Sequence, residues 1–226
     1  MAERTKAKVL YFSSRENVPQ GAFVVDGNIV FGTPEKNTVI CKADELYIPG
    51  EHNLQNALAA CAMAMVMNVQ PAIIRHTFRT FEGVEHRIEF VCEKNGIAFI
   101  NDSKGTNVDS SLRAVRAMTR PTVIILGGYD KHCDFTPLCE EMLNCPIVHA
   151  VLIGDTAKQF DETLRKVGFT SFEHAGYDFK AAIERAYKAA PEGGCALLSP
   201  SCASFDMFKD YEERGRVFKK LASELQ

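Results

Sequence analysis

Three short polar stretches hold most of the side chains in this sequence that could do chemistry. Asn101-Asp102-Ser103-Lys104-Gly105-Thr106-Asn107 places a carboxylate, an ammonium, two hydroxyls and two amides within seven residues. Asp102 could accept from a ribose hydroxyl or a cation. Lys104 and Thr106 could donate to an anion at the start of a following helix, where free N–H groups and the helix dipole favour negative charge. The plainer account is a capped loop, with Asn107 or Thr106 as the N-cap and Lys104 solvated. Gly127-Gly128-Tyr129-Asp130-Lys131 follows an apolar run. Its glycines would let backbone approach a ligand closely, and Lys131 could meet a carboxylate as a point charge. The alternative is a tight turn with an exposed lysine. Ser199-Pro200-Ser201-Cys202-Ala203-Ser204-Phe205-Asp206 is the third stretch. Ser204 could cap a final helix or bind an anion at its positive end. Phe205, Phe208, Tyr211 and Phe218 read as packing rather than stacking groups. No serine lies in a G-x-S-x-G setting, which argues against a nucleophilic serine.

Two weaker features accompany these. Asn53 and Asn56 are three residues apart at the start of an expected helix, so they share a face from which amides could read an adenine edge. A helix cap plus a surface amide would explain them equally simply. Glu85-His86-Arg87 is a small polar cluster in which His86 reads as structural.

The elements that must position these stretches are legible from periodicity. Short strands are expected at Val9–Phe12, Ala22–Val25, Asn28–Phe31 and Asn37–Lys42. Asp26-Gly27 should form a two-residue hairpin turn, because both residues tolerate positive φ. Apolar residues at helical spacing predict a helix over His52–Met67. Gln70-Pro71 should break it before a second helix over Ile73–Thr80. Beyond residue 84 the pattern becomes strand–helix alternation. Strands are expected at Ile88–Glu93, Ala98–Asn101, Thr122–Leu126, Ile147–Ile153 and Cys195–Leu198. Helices are expected at Val108–Met118, Pro137–Leu143, Thr156–Val167 and Phe179–Ala189, with a last one from about Ser204. The β-branched run at Thr122–Leu126 marks a strand buried on both faces. The fold class is therefore α/β, with a mainly parallel sheet and helices on both sides. Ligands in such sheets sit at the carboxyl ends of the strands, and all three polar stretches follow strands.

Composition narrows the function classes. The chain has 226 residues, long enough for one large domain or two small ones. A net charge of -3 without a long run of one sign gives no footing for nucleic acid or a membrane surface. No apolar stretch reaches membrane-spanning length and the first residues lack a signal-peptide core, so a cytoplasmic location is expected. The eight cysteines include no C-x-x-C pair, and they read as reduced thiols packed as small hydrophobes.

Taken together, GEHNLQNALAA, FEGVEHRIEF, INDSKGTN, ILGGYDK and LLSPSCASFDMFKDYEERGRVF resemble the Mur ligase family, in its order and spacing. The resemblance runs from about Val9 to the C-terminus. NDSK-x-TN and SP-x-x-x-SFD-x-F-x-x-(F/Y)-x-x-RG point to the branch that adds D-glutamate rather than L-alanine, diaminopimelate, lysine or D-Ala-D-Ala. That branch uses ATP to phosphorylate the carboxylate of UDP-N-acetylmuramoyl-L-alanine. The amine of D-glutamate then attacks the acyl phosphate, a peptidoglycan-building step that relies on positioning and charge neutralisation. The resemblance implies adenine contacts from Asn53 and Asn56, a phosphate contact from Arg87 and a ribose contact from Asp102. It puts Lys104 and Thr106 at the reacting centre. It gives the D-glutamate pocket Thr106, Lys131, Ser204, Phe205 and Tyr211. Relatives often carry Leu and Phe where this chain has Phe205 and Tyr211, which preserves an aromatic wall.

One departure is large. The sequence contains no G-x-x-G-K-[ST] phosphate loop. It also lacks the modified lysine and the magnesium-binding glutamate and histidine of the family's central domain, so no metal ligand is expected here. ATP and Mg2+ are expected to need the full-length arrangement. Residues 1–83 would be the tail of a central ATPase domain, with an exposed apolar sheet edge, and 84–226 the C-terminal ligase domain, with a missing N-terminal part as possible partner. A different class of function would be a non-catalytic D-glutamate-binding module, or the C-terminal partner of a split ligase. A generic nucleotide-binding α/β protein is disfavoured by the absence of a glycine-rich phosphate loop.

Overall fold

The computed structural model describes residues 5–48, 50–129 and 131–225. The chain divides into two compact units between Gly83 and Val84.

In the first unit, strands β1 (Tyr11–Ser13), β2 (Gly21–Val25), β3 (Asn28–Gly32) and β4 (Asn37–Lys42) form a sheet in that order. β1 runs parallel to β2, and the remaining pairs are antiparallel. Asp26 and Gly27 both have positive φ, 47° and 76°, as the hairpin turn requires. Helices α1 (Glu51–Val66) and α2 (Pro71–Thr80) pack Leu58, Cys61 and Ile74 against Ala22, Ile29 and Ile40 of the sheet. Pro71 opens α2, where its missing N–H costs nothing. Tyr11 and Phe12 on β1 and Val39 on β4 are exposed on the two edge strands.

The second unit contains β5 (Glu89–Lys94), β6 (Ile97–Asn101), α3 (Val108–Ala117), β7 (Thr122–Gly127), α4 (Thr136–Met142) and β8 (Ile147–Ile153). It continues with α5 (Ala157–Val167), β9 (Phe172–Gly176), α6 (Phe179–Ala189), β10 (Cys195–Leu198) and α7 (Tyr211–Glu224). The sheet order is β5-β6-β10-β7-β8-β9. Only β5 is antiparallel to its neighbour. Every residue of β7 is buried. Ile124 and Leu126 enter a core built with α3, α4 and α5, while Val123 and Ile125 enter one built with α6 and α7. That two-sided burial is why the strand reads as a continuous apolar run.

Two expectations need correction. Sequence reasoning places no strand between α5 and α6, yet β9 lies there. It is a five-residue edge strand paired only with β8, and FEHAG lacks the apolar run that marks a central strand. The last helix begins at Tyr211 rather than near Ser204. Asp210 caps it by accepting from the Glu213 N–H at 2.7 Å, and Ser204 instead closes a turn through its carbonyl to Met207 and Phe208. Ser204 is therefore not a helix cap.

Candidate functional site

The loops after β6, β7 and β10 lie at the carboxyl ends of parallel strands and are tied to one another. Asp102 N–H donates to Leu198 O at 2.7 Å, Gly127 N–H to Pro200 O at 2.9 Å, and Tyr129 N–H to Ala203 O at 2.9 Å. Glycines allow this crossing. Gly128 has φ of 146°, and a Cβ there would run into Ala203 O and Cys202. A Cβ on Gly154, at the end of β8, would collide with Asp206 and with Gly128.

In the loop after β6, Asn107 caps α3 by accepting from Ser110 N–H at 2.9 Å, so the cap is Asn107 and not Thr106. Asp102 points inward. Its carboxylate accepts from Ser199 Oγ at 2.7 Å and from Ile88 N–H at 3.3 Å, and the residue is 3% exposed. Burial pushes its pKa up to about 7, against the pull of Ser199, Ile88 and the charges of Arg87 and Arg214. Gly105 leaves room for that carboxylate, since a Cβ would overlap Asp102 Oδ2. Lys104 and Thr106 are half-buried. The Lys104 ammonium lies 5.6 Å from the centre of the Tyr211 ring, a cation–π distance. The His86 ring meets the same tyrosine edge-on at 6.1 Å.

His86 is structural, as its sequence context suggests. It is 3% exposed, Asn101 Nδ2 sits 2.9 Å from its Nδ1, and burial holds its pKa below the ordinary value. Among the described residues, one group has the geometry of a metal site, Glu85, His86 and Glu89. The Lys219 ammonium already bridges it, 2.8 Å from Glu85 and 2.7 Å from Glu89. That donor set therefore does not fit Mg2+.

Around the loop after β10, the buried hydroxyls of Ser201 and Ser204 and the buried Oδ1 of Asp206 have no hydrogen-bond partner among the described residues. Native proteins rarely leave such groups unpaired, so a polar ligand or water is the natural complement. Ser201 also holds a left-handed φ of 61°, a strain that clusters at functional sites. Phe205 is 63% exposed and stands edge-to-face with Tyr129, itself 43% exposed, at 6.0 Å between ring centres. Phe205 is thus a surface aromatic residue and not a core-packing one. Phe218 is fully buried against Phe99, and Phe208 packs on Phe179.

The structure thus places Asp102, Lys104 and Thr106 on one loop and Ser204 and Phe205 on a loop that touches it, with Tyr211 at the start of α7 beside Lys104. Arg87 is exposed beside Asp102, and Lys131 is exposed four residues beyond β7; Asp130 lies outside the described residues. Asn53 and Asn56 lie on α1 of the first unit, half-exposed and exposed. The sequence motif includes Arg214 as the arginine of its RG pair but gives it no role. This arginine is fully buried, in line with the buried Phe218 and Ala222 at helical spacing on α7. A charge inside an apolar stripe was the available signal. All eight thiols are free, and burial pushes Cys61, Cys139 and Cys202 up to about 12, which makes them poor nucleophiles. No helix among the described residues is long and apolar enough to cross a membrane.

A family model described as Mur ligase, glutamate ligase domain, matches residues 86–202. The UDP-N-acetylmuramoylalanine--D-glutamate ligase of Thermoanaerobacter sp. (strain X514) is 44% identical over 228 residues, covering 100% of this chain and 50% of that protein. The chain spans about half the length of the curated relatives it matches. A D-alanyl-D-alanyl-adding ligase of Acinetobacter baumannii superposes with a TM-score of 0.61 at 16% identity, over 96% of this chain and 46% of its own. The MurF ligase of Thermotoga maritima, solved with ADP, gives 0.56 at 14% identity, over 95% and 49%. At such identities the two structures show a shared fold.

Proposed function

Because this chain belongs to the Mur ligase family, we propose that it carries the D-glutamate site of a ligase that joins D-glutamate to UDP-N-acetylmuramoyl-L-alanine in the cytoplasm. The observation that carries this reading is the unpartnered buried hydroxyl of Ser204 beside the exposed Phe205–Tyr129 aromatic corner. The flanking loops bear Lys104 and Lys131. An amino dicarboxylate needs cations and oriented hydroxyl donors for its carboxylates and an apolar wall for its methylenes, and this set offers all three.

In this reading Lys131 and Ser204 hold carboxylate oxygens, while Phe205 and Tyr211 flank the carbon chain. The glutamate amine then faces the acyl phosphate formed from ATP. A C–N bond forms, the C–O bond to phosphate breaks, and the amine loses a proton. Lys104, oriented by the Tyr211 ring, neutralises charge on the departing phosphate, and Thr106 donates from its hydroxyl. Arg87 meets a nucleotide phosphate. Asp102 offers the ribose a remaining lone pair of a carboxylate that Ser199 and Ile88 hold still. Asn53 and Asn56, on α1 of the first unit, offer side-chain amides of the kind that read an adenine edge. Among the described residues, the Glu85–His86–Glu89 group that Lys219 bridges does not fit Mg2+. Residues 1–83 belong to the nucleotide-binding domain, and 84–226 form the ligase domain proper.

The test joins this chain to the remaining half of a relative such as the Thermoanaerobacter ligase and follows phosphate release. Release should depend on D-glutamate and fall at least about a hundredfold in Lys104→Ala, the scale of a lost charge at a reacting centre. The chain alone should release no phosphate above a no-protein control. Release indifferent to D-glutamate, or full activity in Lys104→Ala, would overturn the reading.

A further inference from the structure

Arg214 makes an unusual set of contacts for a buried charge. Its Nε donates to Ser103 Oγ at 3.0 Å and its Nη2 to Ser103 O at 2.8 Å. Both terminal nitrogens reach Cys202 O at 3.1 Å, and Nη1 also reaches Ala203 O at 3.3 Å. A guanidinium has five N–H donors in a rigid plane, and here they meet three carbonyls and one hydroxyl. Among the described residues Arg214 makes no ion pair. Ser103 lies between Asp102 and Lys104, and Cys202–Ala203 immediately precede Ser204–Phe205. One side chain therefore bonds the loop of the reacting centre and the loop of the amino-acid pocket at once. Ser103 Oγ extends the link by donating to Tyr211 O at 2.7 Å. Gly215 seats the helix, since a Cβ there would overlap the His86 ring.

We propose that Arg214 is a positioning residue, a staple that sets the separation of the 102–106 and 202–205 loops and so fixes the dimensions of the amino-acid pocket. The proposal rests on the reading that D-glutamate binds beside Ser204. A planar fork of donors fixes distance and angle together, which a lysine cannot do even though it keeps the charge. Buried carbonyls that lose their donors do not stay in place, because each regains a partner only by moving.

The experiment compares wild type, Arg214→Lys and Ser103→Ala by amide hydrogen exchange and by D-glutamate titration of the whole chain. The amides of Lys104 and Gly105 report on the first loop, and those of Gly127 and Tyr129 on the second, through their bonds to His86 O, Asp102 O, Pro200 O and Ala203 O. In Arg214→Lys all four should exchange faster together while amides of β8 keep their protection. D-glutamate affinity should fall roughly tenfold or more, the scale of one lost hydrogen bond to a charged group. Ser103→Ala, which removes one acceptor and leaves the guanidinium, should move both readouts the same way by less. Four unchanged amides in the variants would overturn the proposal. So would exchange that rises equally in β8, or loops that loosen while affinity holds. If wild type itself does not bind D-glutamate, the proposed function fails, and the exchange comparison alone decides whether Arg214 staples the loops.

Discussion

Replacing Asp102 by Asn should remove a pH dependence that the fold builds in. The Asp102 carboxyl is 3% exposed, and burial raises its pKa from 3.8 to about 7. An acid whose pKa is higher folded than unfolded binds more protons in the folded state between those two values. Its stabilising contribution is therefore complete below about pH 4 and is lost as pH rises through about 7. At about 1.4 kcal/mol per unit, a shift from 3.8 to about 7 corresponds to at most about 4 kcal/mol. The carboxamide of Asn keeps an acceptor for the Ile88 N–H and gives Ser199 Oγ a donor in place of an acceptor, without a charge to bury. Asp102→Asn should thus match wild type within about 1 kcal/mol at pH 4.5 and be more stable by about 2–4 kcal/mol at pH 8.5. Urea unfolding of both proteins across that range provides the measurement, read on the transition of the second unit. Carboxylates held low by partners, such as Glu141 and Asp161, add an opposite slope that is common to both proteins and cancels in the difference. A flat difference from pH 5 to 8, or wild type gaining on the variant as pH rises, would refute the reasoning.

Three further outcomes are expected. Gly128→Ala, which forces a Cβ against Ala203 O at a φ of 146°, should destabilise the second unit by about 2 kcal/mol or more in chemical unfolding, and an unchanged midpoint would contradict the close crossing. Ser204→Ala removes a buried hydroxyl without a partner, so thermal stability should hold or rise slightly while D-glutamate affinity drops, and a loss of stability would mean that the hydroxyl is paired within the protein. Tyr11, Phe12 and Val39, exposed on edge strands of the first unit, should promote self-association, which light scattering at rising concentration would register; a monodisperse monomer throughout would count against it.

Much of this architecture was legible in the sequence because local signals and tertiary placement agree. β7 declares itself as a β-branched run, since both its faces are buried. Asp26-Gly27 announces its turn, and both residues have positive φ. Asn107 announces the start of α3. What escaped depends on partners distant in sequence. β9 is held by one neighbouring strand and has little apolar patterning of its own. Ser204 looks like a helix cap until Asp210 takes that role six residues later. Arg214 stands in the RG pair of the motif, but its role shows only where Ser103, more than a hundred residues away, accepts its donors. The inward turn of Asp102 likewise depends on Ser199.

The loops after β6, β7 and β10 form, in the function proposed above, a pocket for D-glutamate. Calorimetric titration of this chain with D-glutamate and with L-glutamate tests it most directly. The D enantiomer should bind saturably, the L enantiomer more weakly, and the signal should be lost in Lys131→Ala. Absence of D-glutamate binding by the folded wild-type chain, or equal binding by Lys131→Ala, would contradict it.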